Sequence, residues 1–221
     1  MEIQLSQEIK GQVPDFKLGV IEYKNILVGD SPQMLRGRLQ LFQESIYFDL
    51  ENTPVTELPG VQEWRTIFKK NGKDPNRYRP SVEALYRRVQ KQNYLSSVQS
   101  AIDINNFFSL QYQVPIGIYD QECLNGPVSI RFGDEGEEYV GLNGRLNSLE
   151  RLILSADENG PFGSPFVDSD RAPVSVETKH ALQLIYLRPS TDLHNAEKLT
   201  ESLMNMFVQI HGGEATYHIL K

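Results

Sequence analysis

The stretch AIDINNFFSLQYQVPIGIYD, residues 101–120, carries a helical pattern followed directly by a strand pattern. We predict a helix from about Ser97 to Gln111 and, after Pro115, a strand at Ile116–Tyr119. The predicted buried face of the helix consists of Val98, Ala101, Ile102, Phe108 and Tyr112. Asn105 falls within this face, where an amide without hydrogen-bond partners would cost about 1–3 kcal/mol. Asn105 therefore either ties the helix to a loop carbonyl, which is the commoner outcome, or helps to shape a polar site.

Upstream of this stretch the chain begins with a strand pattern and continues with helical patterns. Phe16–Val28 alternates loosely and predicts strands. Ser31-Pro32 predicts a helix start, because a capping side chain precedes a proline at the first helical position. The apolar positions that follow at helical spacing are Leu35, Leu39, Phe42 and Ile46. A shorter helix is predicted at Val61–Phe68 and ends before the Asn71-Gly72 turn.

A further helix start is predicted at Pro80-Ser81. The apolar face of this helix is predicted to consist of Val82, Leu85, Tyr86 and Val89. Glu83 and Arg87 are i,i+4 partners on its other side, where an exposed pair would contribute about 0.3–0.5 kcal/mol.

Downstream of the opening stretch, short apolar runs are separated by glycine and asparagine and predict strands of an antiparallel or mixed sheet. These runs are Val128–Phe132, Glu138–Leu142, Leu152–Ser155 and Ala181–Leu187. A helix from Leu193 to Ile210 is stopped by Gly212-Gly213, and a last strand is predicted at Ala215–Leu220. Helices early, strands in the middle and one helix near the end predict an α+β fold, with a mixed or antiparallel sheet and flanking helices.

Composition and charge narrow the function classes. The chain has 221 residues, 39% hydrophobic and 23% charged, and a formal net charge of −7. No apolar run approaches the roughly 20 residues of a membrane span, and the N-terminal MEIQLSQEIKG has no signal-peptide pattern. A single cysteine, Cys123, excludes an internal disulfide and favours a reducing cytoplasm. The acidic balance argues against unspecific coating of DNA but leaves room for a local basic cleft.

One segment concentrates positive charge within this acidic chain. NGKDPNRYRPSVEALYRRVQK, residues 71–91, holds six basic residues: Lys73, Arg77, Arg79, Arg87, Arg88 and Lys91. The last three lie on the polar face of the predicted helix and are consistent with ordinary solvated charges. Arg77 and Arg79 lie near its start with Ser81 and Glu83, where free backbone amides favour an anion. We interpret this group as one wall of a pocket.

Two polar clusters are further candidates for a site. Asp103 and Asn106 lie one turn apart on the predicted helix and, with Asn105, are candidates for a polar site. Asp168, Ser169, Asp170 and Arg171 follow a loop rich in glycine and proline. Such a loop often carries binding groups, although a solvated turn with local hydrogen bonds is the simpler alternative.

Several kinds of chemistry have no support in the sequence. The four histidines have no metal-ligand spacing, so we expect no metal. No glycine-rich phosphate loop precedes a helix, and no GxSxG motif is present. We expect no cofactor.

Residues 101–120 resemble the segment D-x-x-N-[hydrophobic]-x-x-L-x-x-x-x-P-x-H-A-F-D of the B3/B4 domain of the bacterial phenylalanyl-tRNA synthetase beta subunit. The matching positions are Asp103, Asn106, Leu110, Pro115 and Asp120. PFVDSDRAPVSVETKHALQLI resembles a later stretch of that family through Val174 and Thr178, and RYRPSVEALYRRVQK resembles free-standing proteins built from this one domain. The resemblance spans roughly Arg77 to Leu187. The chain has no internal repeat and no composition break that would mark a linker, so we expect a single domain over 1–221. With the resemblance, this domain is expected to have N-terminal strands and helices at 1–70 and the family core, C-terminal helix and strand at 71–221.

The resemblance also implies a function and a set of site residues. In the synthetase, this domain removes wrongly attached tyrosine by hydrolysing its ester to the tRNA end. The family histidine corresponds to Gly117 here, and the family carboxylate falls near Asp170, with Asp168 close by. Asp168 or Asp170 would orient water. The residues expected to bind the substrate are Arg77, Arg79, Ser81, Glu83, Asp103, Asn105, Asn106 and Arg171.

Three functions remain open at this point. The first is a cytoplasmic aminoacyl-tRNA deacylase acting in trans, whose partner is the acceptor end of tRNA. The second is a binding module without chemistry for tRNA, an amino acid or a small ligand, which the glycine at position 117 favours. The third is a structural or interaction domain in which the arginines are surface charges.

Overall fold

A computed structural model describes all 221 residues, Met1–Lys221, and shows an α+β fold, as predicted. The helices are α1 (Gln7–Gln12), α2 (Gln33–Asp49), α3 (Pro59–Lys70), α4 (Ser81–Gln90), α5 (Ser100–Tyr112) and α6 (Leu193–His211). The strands are β1 (Ile3–Leu5), β2 (Leu18–Lys24), β3 (Ile116–Asp120), β4 (Val128–Phe132), β5 (Glu138–Val140), β6 (Leu146–Ser148), β7 (Ile153–Asp157), β8 (Gly160–Gly163), β9 (Ala181–Tyr186) and β10 (Glu214–Leu220). None of the helices is both long enough and apolar enough to cross a membrane.

The strands form two four-stranded sheets and one small hairpin. The sheet that we call central has the order β10-β2-β9-β3, and all of its neighbours are antiparallel. The sheet that we call outer has the order β1-β4-β7-β8, with β1 parallel to β4 and the other pairs antiparallel. Strands β5 and β6 pair only with each other.

The central sheet has a hydrophobic core on each of its faces, although every residue of its edge strand β10 is exposed or half-buried. Because successive side chains of a strand point to opposite faces, β2 sends Ile21 and Tyr23 to one core and Leu18 and Val20 to the other. The first core is closed by helices α2, α4, α5 and α6, and the second by the outer sheet with α1 and α3. The molecule therefore has three layers: helices, central sheet and outer sheet.

Two local expectations differ from the structure. Ser31 does not cap α2, which begins at Gln33 after Pro32 without a side-chain cap, because the Ser31 hydroxyl donates instead to Asp103. Val98 is 66% exposed, although we expected it on the buried face of α5, because this helix begins only at Ser100.

Candidate functional site

Asp168 has one fixed carboxylate oxygen and one open oxygen. The Tyr119 hydroxyl donates to Asp168 Oδ1 at 2.7 Å, and the Ser164 backbone N–H donates to the same oxygen at 3.3 Å. Oδ2 accepts no hydrogen bond from the protein, and Asp168 as a whole residue is half-buried. The carboxylate is therefore held in orientation while one oxygen is left for a water molecule or a ligand.

Three buried tyrosines surround this carboxyl group. Burial raises the phenol pKa of Tyr119, Tyr139 and Tyr186, and the nearby charge of Asp168 raises each of them further. Burial raises the pKa of Asp168 itself to about 6, although the hydrogen bonds from Tyr119 and Ser164 favour its ionised form. An ordinary aspartate titrates near 4, so this carboxyl group changes charge much closer to neutral pH.

The remaining hydroxyls near Asp168 are all hydrogen-bonded. Tyr139 bonds to Ser164 Oγ at 3.1 Å and also donates to the Val167 carbonyl. Tyr186 and Ser155 share a hydrogen bond of 2.8 Å between their hydroxyls. These bonds hold the residues around Asp168 in fixed positions, because buried polar groups without partners would be costly.

Two glycines make room for the Tyr119 side chain. A Cβ atom at Gly117 would lie 2.0 Å from the Tyr119 hydroxyl oxygen, and one at Gly163 would lie 2.1 Å from it. Gly117 and Tyr119 are two residues apart on β3 and so share a face of the central sheet, whereas Gly163 ends β8 of the outer sheet. The hydroxyl thus occupies the space that a side chain at position 117 would take, and only glycine fits at either position.

The start of α4 lies beside the loop that carries Asp168. The Ser81 N–H donates to the Pro165 carbonyl at 2.8 Å. The Tyr78 ring packs edge-on against the Phe166 ring, with the two ring centroids 5.5 Å apart. Arg77 and Arg79 are exposed on the segment that leads into α4. Ser81 of the predicted pocket wall is thus in contact with the loop of Asp168. Arg77 and Arg79 lie two to four residues before Ser81 in the sequence.

Glu83 has a different environment from the one that we expected. Its carboxylate is fully buried and accepts hydrogen bonds from Arg65 at 2.9 and 3.0 Å and from Arg87 at 2.8 Å. Arg65 of α3 covers this side of α4, so the Glu83–Arg87 pair is not an exposed i,i+4 pair. Both oxygens of Glu83 are used within the protein.

Asp103 is also occupied within the protein. Its carboxylate accepts hydrogen bonds from the Ser31 hydroxyl at 2.5 Å, from the Ser97 hydroxyl and from the Val98 N–H at 3.0 Å. These donors fasten the start of α5 to the segment before α2. None of them contacts Asp168.

The amides of α5 lie on the helix side of the central sheet. Asn105 is buried and accepts a hydrogen bond from Gln183 of β9, which in turn accepts one from the Tyr23 hydroxyl at 2.7 Å. Tyr23 belongs to the core between the central sheet and the helices, whereas Tyr119 belongs to the core between the central and outer sheets. Asn106 is half-buried. The central sheet therefore separates Asn105 from Asp168, and the predicted residues do not converge in one pocket.

The remaining predicted residues flank Asp168. Arg171 forms a two-point ion pair with Asp157 at 2.8 and 3.1 Å and also donates to the Gly160 carbonyl at 3.1 Å. Burial by itself would raise the pKa of Asp157, but the hydrogen bonds from Arg171 and from backbone N–H groups lower it. Asp170 is exposed, and its N–H donates to the Val140 carbonyl at 3.1 Å. Of the two carboxylates expected to act on water, Asp168 is the one enclosed by tyrosines.

The sequence analysis missed Tyr119 as a residue of this site. The available signal was the strand period, which places a glycine and a tyrosine on the same face in IGIYD. The contact with Asp168 spans 49 residues and has no local sequence signal.

Comparison with known proteins places the chain among its relatives. The model of the B3/4 domain family matches residues 63–203. The chain is 37% identical over 220 residues to the uncharacterized protein YhzB of Bacillus subtilis (strain 168), and the match covers 100% of both chains. It is 29% identical over 116 residues to the phenylalanine–tRNA ligase beta subunit of Bifidobacterium longum (strain NCC 2705), covering 52% of this chain and 13% of that subunit.

Two further matches involve the same kind of subunit. The beta subunit of Haemophilus influenzae (strain ATCC 51907 / DSM 11121 / KW20 / Rd) is 28% identical over 146 residues, which cover 55% of this chain and 18% of the subunit. A solved N-terminal fragment of the phenylalanyl-tRNA synthetase beta subunit from Pyrococcus horikoshii has a TM-score of 0.49 and 12% identity, covering 100% of this chain and 54% of the fragment. This chain spans less than a fifth of the two ligase subunits. Because the family model covers more than half of the chain, the protein belongs to the B3/4 domain family.

Proposed function

We propose that this protein is an aminoacyl-tRNA deacylase that acts in trans and hydrolyses the ester of mischarged tRNA. The observation that carries the proposal is the environment of Asp168: Oδ1 is fixed by Tyr119 and Ser164, Oδ2 is open, and the pKa is raised to about 6. The similarity to subunits named phenylalanine–tRNA ligase supports tRNA as the partner.

In the proposed reaction, Asp168 acts as a general base. Oδ2 accepts a proton from a water molecule while the water oxygen forms a bond to the ester carbonyl carbon. The tetrahedral intermediate then collapses, the bond to the ribose oxygen breaks, and protonated Asp168 returns its proton to that oxygen, which regenerates the carboxylate. A group with a pKa of about 6 is roughly 90% ionised at pH 7 and is a stronger base than an ordinary aspartate.

The same surroundings would allow selective binding. Arg77 and Arg79 are exposed next to the contact between α4 and the loop of Asp168, where they would meet phosphate groups of the acceptor end. Ser81 lies at the start of α4, where its N–H bond to the Pro165 carbonyl holds this helix end against the loop of Asp168.

A second candidate is a tRNA-binding or small-ligand-binding module without catalysis. The observation that favours it is the space at position 117, which the Tyr119 hydroxyl fills and where no other side chain fits. The Tyr119 hydroxyl is itself committed to Asp168.

The test is hydrolysis of a panel of mischarged tRNAs, including tRNA for phenylalanine that carries tyrosine, at pH 7.5. We expect the wild-type protein to exceed the spontaneous rate on at least one substrate. Asp168→Asn should lower that enzymatic rate by about 100-fold or more, the usual contribution of a general base. Asp15→Asn, which removes an exposed carboxylate elsewhere, should leave the rate unchanged.

Two results would contradict this proposal. If every substrate is hydrolysed only at the spontaneous rate while the protein binds tRNA, the deacylase is refuted and the binding module without catalysis is supported. Loss of activity in Asp170→Asn but not in Asp168→Asn would assign the base to the exposed carboxylate.

A further inference from the structure

A polar cleft of about 640 Å³ lies between the end of α3 and the segment that follows it. No hydrophobic residue lines it. Its charged and hydrogen-bonding residues are Arg65, Thr66, Lys69, Lys73, Asp74 and Asn76. Three cations thus face one carboxylate in a chain whose formal net charge is −7. The cleft is a local positive site on an acidic protein.

Lys73 in this cleft is a nearly buried cation without an anionic partner. Only 9% of the residue is exposed, and its ammonium group makes no hydrogen bond and no ion pair within the protein. The Nζ atom lies 4.5 Å from the centroid of the Tyr78 ring, and Lys73 is one of the residues that line the cleft. The contact with the ring contributes about 0.5–2 kcal/mol, less than the cost of burying an unpaired charge.

The other cations of the cleft are in different situations. Arg65 is neutralised by Glu83 and also bonds to the side chain of Asn76 at 2.8 Å. Lys69 is exposed on the last turn of α3. Asp74 accepts a hydrogen bond from the Asn76 N–H at 2.9 Å. Lys73 is therefore the buried cation of the cleft that still lacks an anionic partner, and an incoming anion would neutralise it.

The cleft is connected to the loop of Asp168 by two aromatic rings. The Tyr78 ring contacts both Lys73 and Phe166, and Phe166 belongs to the loop of Asp168. The Arg77 guanidinium also lies over the Tyr78 ring, at 5.5 Å. Positive charge therefore extends from the cleft toward Asp168, which suits a chain of phosphates better than one small anion.

We propose that this cleft binds a backbone phosphate of RNA, with Lys73 as its main ligand and Lys69 as a second cation. That the RNA is tRNA rests on the function proposed above. The phosphate would sit in the cleft while Arg77 and Arg79 contact phosphates nearer to Asp168. A phosphate in the cleft neutralises Lys73, so binding removes the cost of that unpaired charge.

The test is the affinity for uncharged tRNA over a range of salt concentrations, measured for the wild type, Lys73→Met and the control Lys91→Met. Methionine keeps the length and apolar character of the lysine stem, and Lys91 is an exposed cation at the end of α4. We expect Lys73→Met to weaken binding about 10-fold at low salt and to reduce the slope of log K against log salt by about one, as for the loss of one phosphate contact. Lys91→Met should stay within about twofold of the wild type.

Equal affinity and equal salt slope for Lys73→Met and the wild type, with both proteins folded by circular dichroism, would overturn the proposal. Binding of inorganic phosphate to the wild type and to Lys73→Met is the second measurement. If Lys73→Met loses phosphate binding but keeps the wild-type affinity for tRNA, the cleft is a site for a free anion instead. Failure of the hydrolysis assay with tRNA binding that requires Lys73 would refute the deacylase but not the cleft. Hydrolysis with tRNA binding that does not require Lys73 would refute the cleft alone.

Discussion

At the scale of single residues, burial and the hydrogen bond from Tyr119 shift the pKa of Asp168 in opposite directions. Burial raises the pKa of Asp168, whereas the hydrogen bond from Tyr119 lowers it by favouring the carboxylate. The result is a value of about 6, at which the group is basic enough to take a proton and still mostly ionised at neutral pH. Gly117 and Gly163 allow this contact because they leave the Tyr119 hydroxyl its space.

We predict that Tyr119→Phe moves the pH dependence of hydrolysis to higher pH. Without the hydroxyl, the carboxylate loses a hydrogen bond that favours its ionised form, so the pKa of Asp168 rises. A hydrogen bond to a charged group corresponds to about one pKa unit or more. Single-turnover rates between pH 5 and pH 8.5 measure the midpoint.

Tyr186→Phe is the matched control for this shift. Its hydroxyl bonds to Ser155, not to Asp168, so the midpoint should move much less than in Tyr119→Phe. An unchanged midpoint in Tyr119→Phe, or an equal shift in both variants, would show that Tyr119 does not set the charge of Asp168.

At the scale of elements, α3 and α4 are joined by a buried ion pair. Glu83 of α4 is fully buried and receives the guanidinium groups of Arg65 from α3 and Arg87 from its own helix. Arg65 also bonds to the Pro75 carbonyl at 3.0 Å and so fixes the segment between the two helices. This segment carries the cleft and leads to the loop of Asp168.

We predict that Glu83→Ala lowers the free energy of unfolding by about 2–4 kcal/mol. The change removes the partner of two cations, although both arginines keep some access to water and the loss is smaller than for a fully buried pair. Urea denaturation at pH 7 measures it. Glu197→Ala, on an exposed position of α6, should change the value by less than about 0.5 kcal/mol. Equal effects of the two changes would contradict the role of Glu83.

The sequence predicted the elements better than their contacts. The spacing of Val82, Tyr86 and Val89 predicts α4 and its buried face, and all three are buried. Helical spacing does not reveal which neighbour covers the next position, so Glu83 was expected on an exposed face. Asn105 was predicted to be buried, but its partner Gln183 lies 78 residues away and on a strand instead of a loop.

At the scale of the whole molecule, the three layers decide which predicted residues belong together. Asn105 hydrogen-bonds on the helix side of the central sheet, whereas Tyr119 and Asp168 meet between the central and outer sheets. The order of strands in the two sheets comes from long-range pairing, which no local pattern reveals. Sequence reasoning could therefore propose Asp168 and the residues before α4 but could not separate them from Asp103 and Asn105.

A chain of side-chain contacts also links the proposed phosphate site to the loop of the proposed base, because the Tyr78 ring contacts both Lys73 and Phe166. The loop of Asp168 follows β8, the edge strand of the outer sheet, and reaches β3, the edge strand of the central sheet, through Tyr119. Ser81 at the start of α4 and Tyr78 in the segment before this helix both contact this loop.

The most direct test of this account is the pH dependence of single-turnover hydrolysis of a mischarged tRNA by the wild type and by Asp168→Asn. Asp168 must be ionised to accept a proton, so the wild-type rate above the spontaneous background should fall as the pH drops through about 6 and level off above it. Asp168→Asn should have no such component at any pH. An Asp168→Asn protein with the wild-type rate and the wild-type midpoint would contradict the account.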